Sequence, residues 1–254
     1  MISAKIPTTP VLDKPDGNMV INNLLLGEVE GLHMVYYYIK GEIGINETTQ
    51  SDFYDVLLSL SGEALLKVGE KQYDFGPLAI VRIPYEEPYK VKIKKGGNFS
   101  FIRLRKSLNK DDRQLISQNR ESHSLIYIKT IADCPVYSED IKSSKTLNRM
   151  LLPVGLIPRF CMGSVKTEGP DEVGGHEHAM LDQLFLGLEG CKCSCVADGE
   201  QILLTENMML HIPLGSQHSV SVESGDTLSY IWLDFFLTLE GQKYMDEQHQ
   251  INDK

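Results

Sequence analysis

The chain has 254 residues, a formal net charge of −10 at pH 7 and 42% hydrophobic residues, enough for one large domain or two ordinary ones. The acidic balance argues against nucleic acid or an anionic membrane as the main partner, because both attract basic surfaces. The cysteines number five, the first residues lack the apolar stretch of a signal peptide, and no apolar run approaches the roughly 20 residues that span a bilayer. We therefore expect a cytoplasmic protein with reduced thiols.

Short apolar or alternating segments make up most of the chain. The first eighteen residues are rich in Pro, Asp, Lys and Thr, which is typical of an extended arm. From Met19 onwards, segments such as GLHMVYYYIKG and FYDVLLSLSG are bounded by turn residues, which predicts an all-β sandwich or barrel. Residues 107–150 are more polar and predict a connector with a short helix or loop and one strand, SLIYIKTI. Strand patterns return at 151–240, and a polar tail follows.

The two halves of the chain repeat each other. FYDVLLSLSG at 53–62 aligns with LDQLFLGLEG at 181–190 at an offset of 128, and SFIRL at 100–104 aligns with SYIWL at 229–233 at an offset of 129. Units of this size indicate two duplicated β domains rather than a solenoid, whose repeats are shorter. The predicted division is an arm at 1–18, a first barrel at 19–106, a connector at 107–150, a second barrel at 151–240 and a tail at 241–254.

Four of the seven histidines lie in one stretch of the second half. His176 and His178 are two residues apart, so on a strand both side chains face the same side. His218 follows a Pro-x-Gly turn, and neutral imidazole is a common ligand of first-row divalent metals. The first half lacks imidazoles at the matching positions, so the second half alone is predicted to bind a metal. The matching residues of the first half are Thr48, Gln50, Asp55 and Tyr89.

The histidine spacing resembles the two motifs of the cupin superfamily, G-x5-H-x-H-x3,4-E-x6-G and G-x5-P-x-G-x2-H-x3-N. Residues that fall on these motifs are His176, His178, Gln183 and Gly190, then Pro213, Gly215 and His218. The chain departs from the motifs at four positions. These are Pro170 for the first Gly, Gln183 for the Glu, Asn207 for the second Gly and Val222 for the Asn.

The resemblance implies an all-β fold of two cupin-type double-stranded β-helix (jelly-roll) barrels in tandem, with the metal motif kept only in the C-terminal barrel. It also implies one divalent ion, such as Zn, Mn, Fe or Ni. The implied ligands are His176, His178, His218 and Gln183. Asp182 fits the shorter spacing of the motif and is the alternative to Gln183. Because cupins commonly pair through sheet edges, we expect a homodimer.

Other reactive residues in this stretch have more than one interpretation. His211 could line the cavity as an acid or base, or pack at its rim. Strand alternation points Glu177 away from the ligand histidines, towards the surface or a dimer contact. Cys191, Cys193 and Cys195 share one strand face and could bind a soft metal, but we expect them to fill the core.

An ion held by neutral ligands keeps its full charge and acts as a Lewis acid. We therefore expect a metal-dependent isomerase, epimerase or lyase acting on a small oxygen-rich substrate such as a sugar or sugar acid, with Asp182, His211 or a hydroxide moving the proton. The layout is similar to that of the uronate isomerases among two-domain cupins. One alternative is a dioxygenase with Fe or Cu, which would consume oxygen. The other is a non-catalytic cupin that binds a small ligand without turning it over.

Overall fold

The chain divides into two compact units in the computed structural model, which describes residues 1–7, 19–41, 44–48, 50–94 and 96–248. One unit contains 8–133 and the other contains 1–7 together with 134–254. All paired strands are antiparallel, and the predicted all-β class is confirmed. Within the described ranges, no helix is both long and apolar enough to cross a membrane.

The elements are numbered in chain order. The first strands are β1 (Ile2–Lys5), β2 (Met19–Leu24), β3 (Leu32–Lys40), β4 (Gly44–Thr48), β5 (Phe53–Gly62), β6 (Ala64–Val68), β7 (Lys71–Phe75), β8 (Ala79–Arg82), β9 (Pro88–Ile93), β10 (Asn98–Ser107) and β11 (Tyr127–Thr130). The later strands are β12 (Val136–Tyr137), β13 (Leu147–Ile157), β14 (Phe160–Glu168), β15 (Asp171–His176), β16 (Leu181–Gly187), β17 (Lys192–Ala197), β18 (Glu200–Thr205), β19 (Met208–Ile212), β20 (His218–Val222) and β21 (Thr227–Phe236). The α-helices are α1 (Lys110–Gln118), α2 (Arg120–Ser124) and α3 (Leu239–Gln248), and a 3-10 turn covers Ile131–Asp133.

The N-terminal unit is a barrel made of two sheets. The larger has the order β11-β8-β5-β10-β3-β2, and the smaller has the order β4-β9-β6-β7. Along β9, Tyr89, Val91 and Ile93 are buried and alternate with exposed residues, because successive side chains of a strand face opposite sides. The buried residues join an apolar core that includes Phe75 and Phe99.

The C-terminal unit repeats this plan. Its larger sheet has the order β1-β19-β16-β21-β14-β13-β12, and its smaller sheet has the order β15-β20-β17-β18. The registers also repeat, since Val56 pairs with Arg82 across β5 and β8, and Leu184 pairs with His211 across β16 and β19. The offsets of 128 and 129 in the sequence therefore correspond to two copies of one strand arrangement.

The boundaries of these units differ from the predicted arm and connector. Strand β1, within the predicted arm, pairs with β19 of the C-terminal sheet, and residues 8–18 of that arm lie outside the described residues. The predicted connector is shared, since β11 pairs with β8 in the N-terminal unit and β12 pairs with β13 in the C-terminal unit. Each of β1, β11 and β12 pairs with a strand that would otherwise form the edge of its sheet, and so supplies hydrogen-bond partners to backbone groups that would lack them. Helix α3 covers most of the predicted tail.

Candidate metal centre

Three histidines of the C-terminal unit meet at one point. One ring nitrogen from each of His176, His178 and His218 lies within 4.8 Å of the other two. His176 ends β15 and pairs with His218 at the start of β20, after a bulge that begins at Val173. The ring centroids of His176 and His218 are 4.3 Å apart. The three imidazoles that the sequence singled out are therefore brought together, in a geometry that could hold a metal ion.

Backbone carbonyls orient two of these rings. The Nδ1 of His176 donates to the Gly174 carbonyl at 2.8 Å, and the Nδ1 of His218 donates to the Ser216 carbonyl at 3.0 Å. Because a carbonyl only accepts, the hydrogen of each neutral ring sits on Nδ1, and Nε2 is the nitrogen that carries a lone pair. Burial lowers the pKa of His218 to about 4, so this ring is neutral at pH 7, as a metal ligand requires.

Two buried atoms at the site have no hydrogen-bond partner in the part of the chain that the structure describes: His218 Nε2 and Gln183 Oε1. The other end of the Gln183 amide is fixed, because its Nε2 donates to Asp234 Oδ1 at 2.7 Å. Buried polar atoms are nearly always paired. A ring nitrogen and an amide oxygen that both carry free lone pairs fit the donor set of a divalent cation.

The triad opens onto a cavity of about 440 Å³, a size that suits a small molecule. His176, His178 and Gln183 line it, together with Asp234 and Phe185. The cavity lies inside the C-terminal barrel, between the larger sheet and the strands that carry the histidines.

The end of β12 and the segment between β12 and β13 bring three further polar side chains into the same cavity. Tyr137, Glu139 and Lys142 line it, and Lys142 Nζ lies 2.6 Å from Glu139 Oε2. The Lys142 side chain is only 5% exposed, and its Nζ lies 5.8 Å from the centre of the Tyr137 ring. Burial and the charge of Glu139 raise the pKa of Tyr137. Sequence reasoning treated this segment as connector, and no motif marks it.

Asp234 is a further important residue that sequence reasoning missed. It lies near the C-terminal end of β21, a strand that is buried apart from Thr227, and burial raises its pKa to about 7, although the hydrogen bond from Gln183 opposes the shift. One signal was available in the sequence. A lone acidic residue in the apolar run TLSYIWLDFF needs a partner if it is buried.

The structure places Asp182 and His211 away from the cavity. His211 Nε2 and Asp182 Oδ1 are 3.1 Å apart and bond to each other, and neither residue lines the cavity. Asp182 precedes Gln183 on β16, so strand alternation turns it to the opposite face of the sheet. Asp182 and His211 therefore pair with each other rather than line the cavity, and strand alternation favours Gln183 over Asp182 as the proposed fourth ligand.

Two other expectations have different outcomes. Glu177 was expected to face away from the histidines, but it lines the cavity, because β15 ends at His176 and strand alternation no longer applies. The thiols of Cys191, Cys193 and Cys195 are buried in the apolar core and form no metal-ligating group among the described residues. The hydrogen bond with Cys193, together with burial, raises the pKa of Cys191, which keeps it a thiol.

No protein-family model and no curated protein matches this sequence. Solved structures do match. YlbA from Escherichia coli aligns with a TM-score of 0.68 and 11% identity over 92% of this chain and 89% of its own. A cupin 2 conserved barrel domain protein from Leptotrichia buccalis aligns with a TM-score of 0.62 and 13% identity over 90% and 91% of the two chains.

A deletion mutant of oxalate decarboxylase from Bacillus subtilis aligns with a TM-score of 0.63 and 11% identity, over 93% of this chain and 79% of its own. At these identities the comparisons show the fold alone. The chain has a two-domain cupin fold, with one histidine triad in its C-terminal half.

Proposed function

We propose that this protein is a metal-dependent enzyme that isomerises, epimerises or cleaves a small oxygen-bearing acid by proton transfer. One observation carries the proposal. Gln183 Oε1 and His218 Nε2 are buried without partners among the described residues, beside a cavity of about 440 Å³ that three carboxyl groups also line. A structural cluster of histidines would have its nitrogens paired and would need no cavity.

His176, His178, His218 and Gln183 are the proposed ligands of a divalent ion. When bound, the ion supplies Lewis acidity, which polarises a substrate carbonyl and stabilises the negative charge that follows removal of a neighbouring proton. Asp234 is a positioning residue in this scheme, because its carboxylate holds the Gln183 amide with the oxygen as the free acceptor.

Glu139 is the proposed proton carrier. Its Oε2 is held by Lys142 Nζ at 2.6 Å, and the side chain lines the same cavity as the triad. Asp182 and His211 face the other side of the sheet and take no part in this scheme. Positioned acid–base groups contribute about 10²–10⁴-fold to rate, so Glu139→Gln should lower kcat by about 100-fold or more while the metal stays bound.

One comparison structure supports a small acid as the class of substrate. Oxalate decarboxylase, by its name, acts on oxalate, a small acid, and it shares the two-domain fold. The sequence prediction of a sugar or sugar acid falls in the broader class of small oxygen-rich molecules, which the size of the cavity permits.

Elemental analysis of the purified protein, followed by a substrate screen, tests the proposal. Sugar acids, oxo acids and hydroxy acids are incubated with the protein in D2O, and proton NMR reports hydrogen exchange or a new product. We expect one divalent ion per chain, turnover that persists without oxygen, and loss of both metal and turnover in His176→Ala. His33→Ala, which removes a half-buried histidine that bonds Asn23 in the other barrel, is the matched control.

Three outcomes would overturn the proposal. A protein that takes up no divalent metal, or a metal-free His176→Ala variant with full turnover, excludes the metal-dependent mechanism. Activity that requires oxygen identifies the Fe- or Cu-dependent dioxygenase instead. A metal-loaded protein that is stabilised by an acid and never converts it is a binding protein.

A further inference from the structure

The cavity holds one cationic side chain, Lys142, among the residues that the structure describes there. Lys142 forms a backbone bridge with Val173, and the Gly174 N–H donates to the Ile141 carbonyl at 2.9 Å. These contacts attach the segment that carries Lys142 to β15, the strand that ends at His176. At about 3.3 Å per residue, the backbone of Val173 lies about 10 Å before that of His176.

Burying an ammonium group is costly unless it is paired, and Lys142 is buried in a chain whose net charge is −10. Ammonium groups carry three N–H donors. The described contacts of Lys142 are one carboxylate, Glu139, and the face of the Tyr137 ring. The ammonium therefore keeps donor capacity that an incoming anion can use, in a site where desolvation strengthens charged hydrogen bonds.

The walls of the cavity that holds Lys142 and the triad histidines are largely apolar. Met150 and Val154 of β13, Phe185 of β16 and Phe236 of β21 line the same cavity. A polyhydroxylated sugar would turn hydroxyl groups towards these side chains without hydrogen-bond partners, which is unfavourable. A molecule that is polar at both ends and apolar between them matches the lining.

We propose that Lys142 binds the carboxylate of the substrate, and that the substrate is a small monocarboxylic acid with an apolar body and a carbonyl or hydroxyl oxygen at the far end that reaches the triad. This assignment rests on the proposed function, since it places the reacting end at the metal. It replaces the broader class of sugar acids with oxo or hydroxy acids whose two polar groups are separated by apolar carbons.

The test measures binding rather than turnover. The protein contains a single tryptophan, Trp232, and it lines the cavity, so its fluorescence reports occupancy. The probes are 4-oxopentanoate, 5-oxohexanoate and 6-oxoheptanoate, each paired with its methyl ester, and galacturonate as the polyhydroxylated acid. Each is titrated into the metal-loaded protein and into the metal-free protein.

We expect at least one oxo acid to bind about tenfold or more tightly than its methyl ester, and more tightly than galacturonate. Lys142→Met should weaken the acid by about tenfold or more and leave the ester unchanged. Lys166→Met, at an exposed lysine of β14, should change neither. Glu139→Gln removes the competing carboxylate and should strengthen binding of the acid.

Several results would overturn the assignment. They are equal affinity for acid and ester, a preference for galacturonate, retention of the acid preference in Lys142→Met, or no binding of any acid at about 10 mM, above the usual range of KM values. Elemental analysis of the same samples separates this failure from failure of the proposed function. The titration of the metal-free protein measures the contribution of Lys142 to binding of the acid independently of any metal.

Discussion

Arg105 donates two hydrogen bonds of 2.7 Å to the carboxylate of Asp55. Arg105 and Asp55 lie at the strand positions that Asp234 and Gln183, respectively, occupy in the other barrel. The register of β5 with β10 pairs Asp55 with Arg105, and the register of β16 with β21 pairs Gln183 with Asp234. Tyr89, which stands where His218 stands in the C-terminal barrel, donates its hydroxyl to the same Asp55 carboxylate at 3.1 Å.

The N-terminal barrel therefore keeps a polar centre but supplies its own positive charge. Glu47 pairs with Tyr89 across β4 and β9, and its carboxylate binds the guanidinium groups of Arg103 and Arg105. The two arginines pair with the two acidic residues, so the lone pairs of these carboxylates are already occupied and do not form a site for a cation. The loss of the histidines in this copy is thus accompanied by an internal ion-pair network.

Removing Arg105 should destabilise the N-terminal barrel strongly. Asp55 has no exposed surface, so Arg105→Met leaves a buried carboxylate without its bidentate partner. Breaking a buried pair in this way costs about 3–5 kcal/mol. Calorimetry or urea unfolding followed by circular dichroism measures the change.

The control for that experiment is Lys67→Met, because Lys67 is exposed and lies 4.0 Å from an exposed Glu70. We expect a change below about 1 kcal/mol there, as for other surface ion pairs. A similar small change in Arg105→Met would show that the network does not stabilise the barrel.

Metal affinity should depend strongly on His218, the most buried of the three histidines. His218→Ala removes a buried ligand nitrogen. We expect metal affinity to fall by more than about 100-fold, because removing only a residue that orients a ligand already costs about 10–100-fold. Competition with a chromophoric chelator measures the affinity. Unchanged affinity would mean that the ion binds elsewhere.

The fold could be predicted from the sequence because its strongest signals, the internal repeat and the histidine spacing, are patterns of residue types along the chain. The offsets of 128 and 129 needed only the order of residues, and His176, His178 and His218 carry their spacing with them. Which face of a strand points inward is a property of the sheet. Asp182 and Gln183 are neighbours, and the sequence alone left open which of them faces the cavity.

The rest of the cavity was hidden because it comes from distant segments. Glu139 and Lys142 lie more than thirty residues before His176 and reach the cavity through the attachment of their segment to β15. Asp234 becomes important only when β16 and β21 pair. Such positions are set by tertiary contacts, which local patterns do not encode.

The orientation of Gln183 should depend on Asp234. In Asp234→Asn the Gln183 amide loses its anionic acceptor, and its oxygen is no longer fixed as the free lone-pair donor. We expect metal affinity to fall by about 10–100-fold, in the range measured when groups that orient metal ligands are removed.

Asp182→Asn is the matched control, because Asp182 bonds His211 on the opposite face of the same sheet. Its metal affinity should equal that of the unaltered protein. An equal loss in both variants would mean that the effect is one of folding rather than of ligand orientation.

A methyl group at Gly163 should displace the indole of Trp232. A Cβ built on Gly163 would lie 2.2 Å from Cζ2 of Trp232, far inside contact distance, so the ring must move into the cavity space or the strands must shift. Gly163→Ala should shift the fluorescence of the single tryptophan and destabilise the barrel by about 1–3 kcal/mol. Gly76→Ala, where a Cβ meets nothing within 4 Å, should do neither.

Asp171 should make the C-terminal barrel sensitive to acid. Burial alone would raise the pKa of this carboxyl, but hydrogen bonds from Thr167 at 2.6 Å, Ser143 at 2.7 Å and the Glu172 N–H at 2.9 Å outweigh it and lower the pKa from 3.8 to about 2. A depressed folded-state pKa means that the stabilisation is complete above the unfolded-state value, near pH 4, and is lost as the pH falls towards 2.

Asp171→Asn removes that titration, so the stability of the variant should fall less steeply than that of the unaltered protein between about pH 4 and about pH 2, the range between the unfolded-state and folded-state pKa values of this carboxyl. Asp74→Asn, at a strongly exposed carboxyl, serves as the control and should leave the slope unchanged. Urea unfolding at a series of pH values gives the two slopes. Parallel curves for the Asp171 variant and the unaltered protein would show that this carboxyl is not selectively stabilised in the folded state.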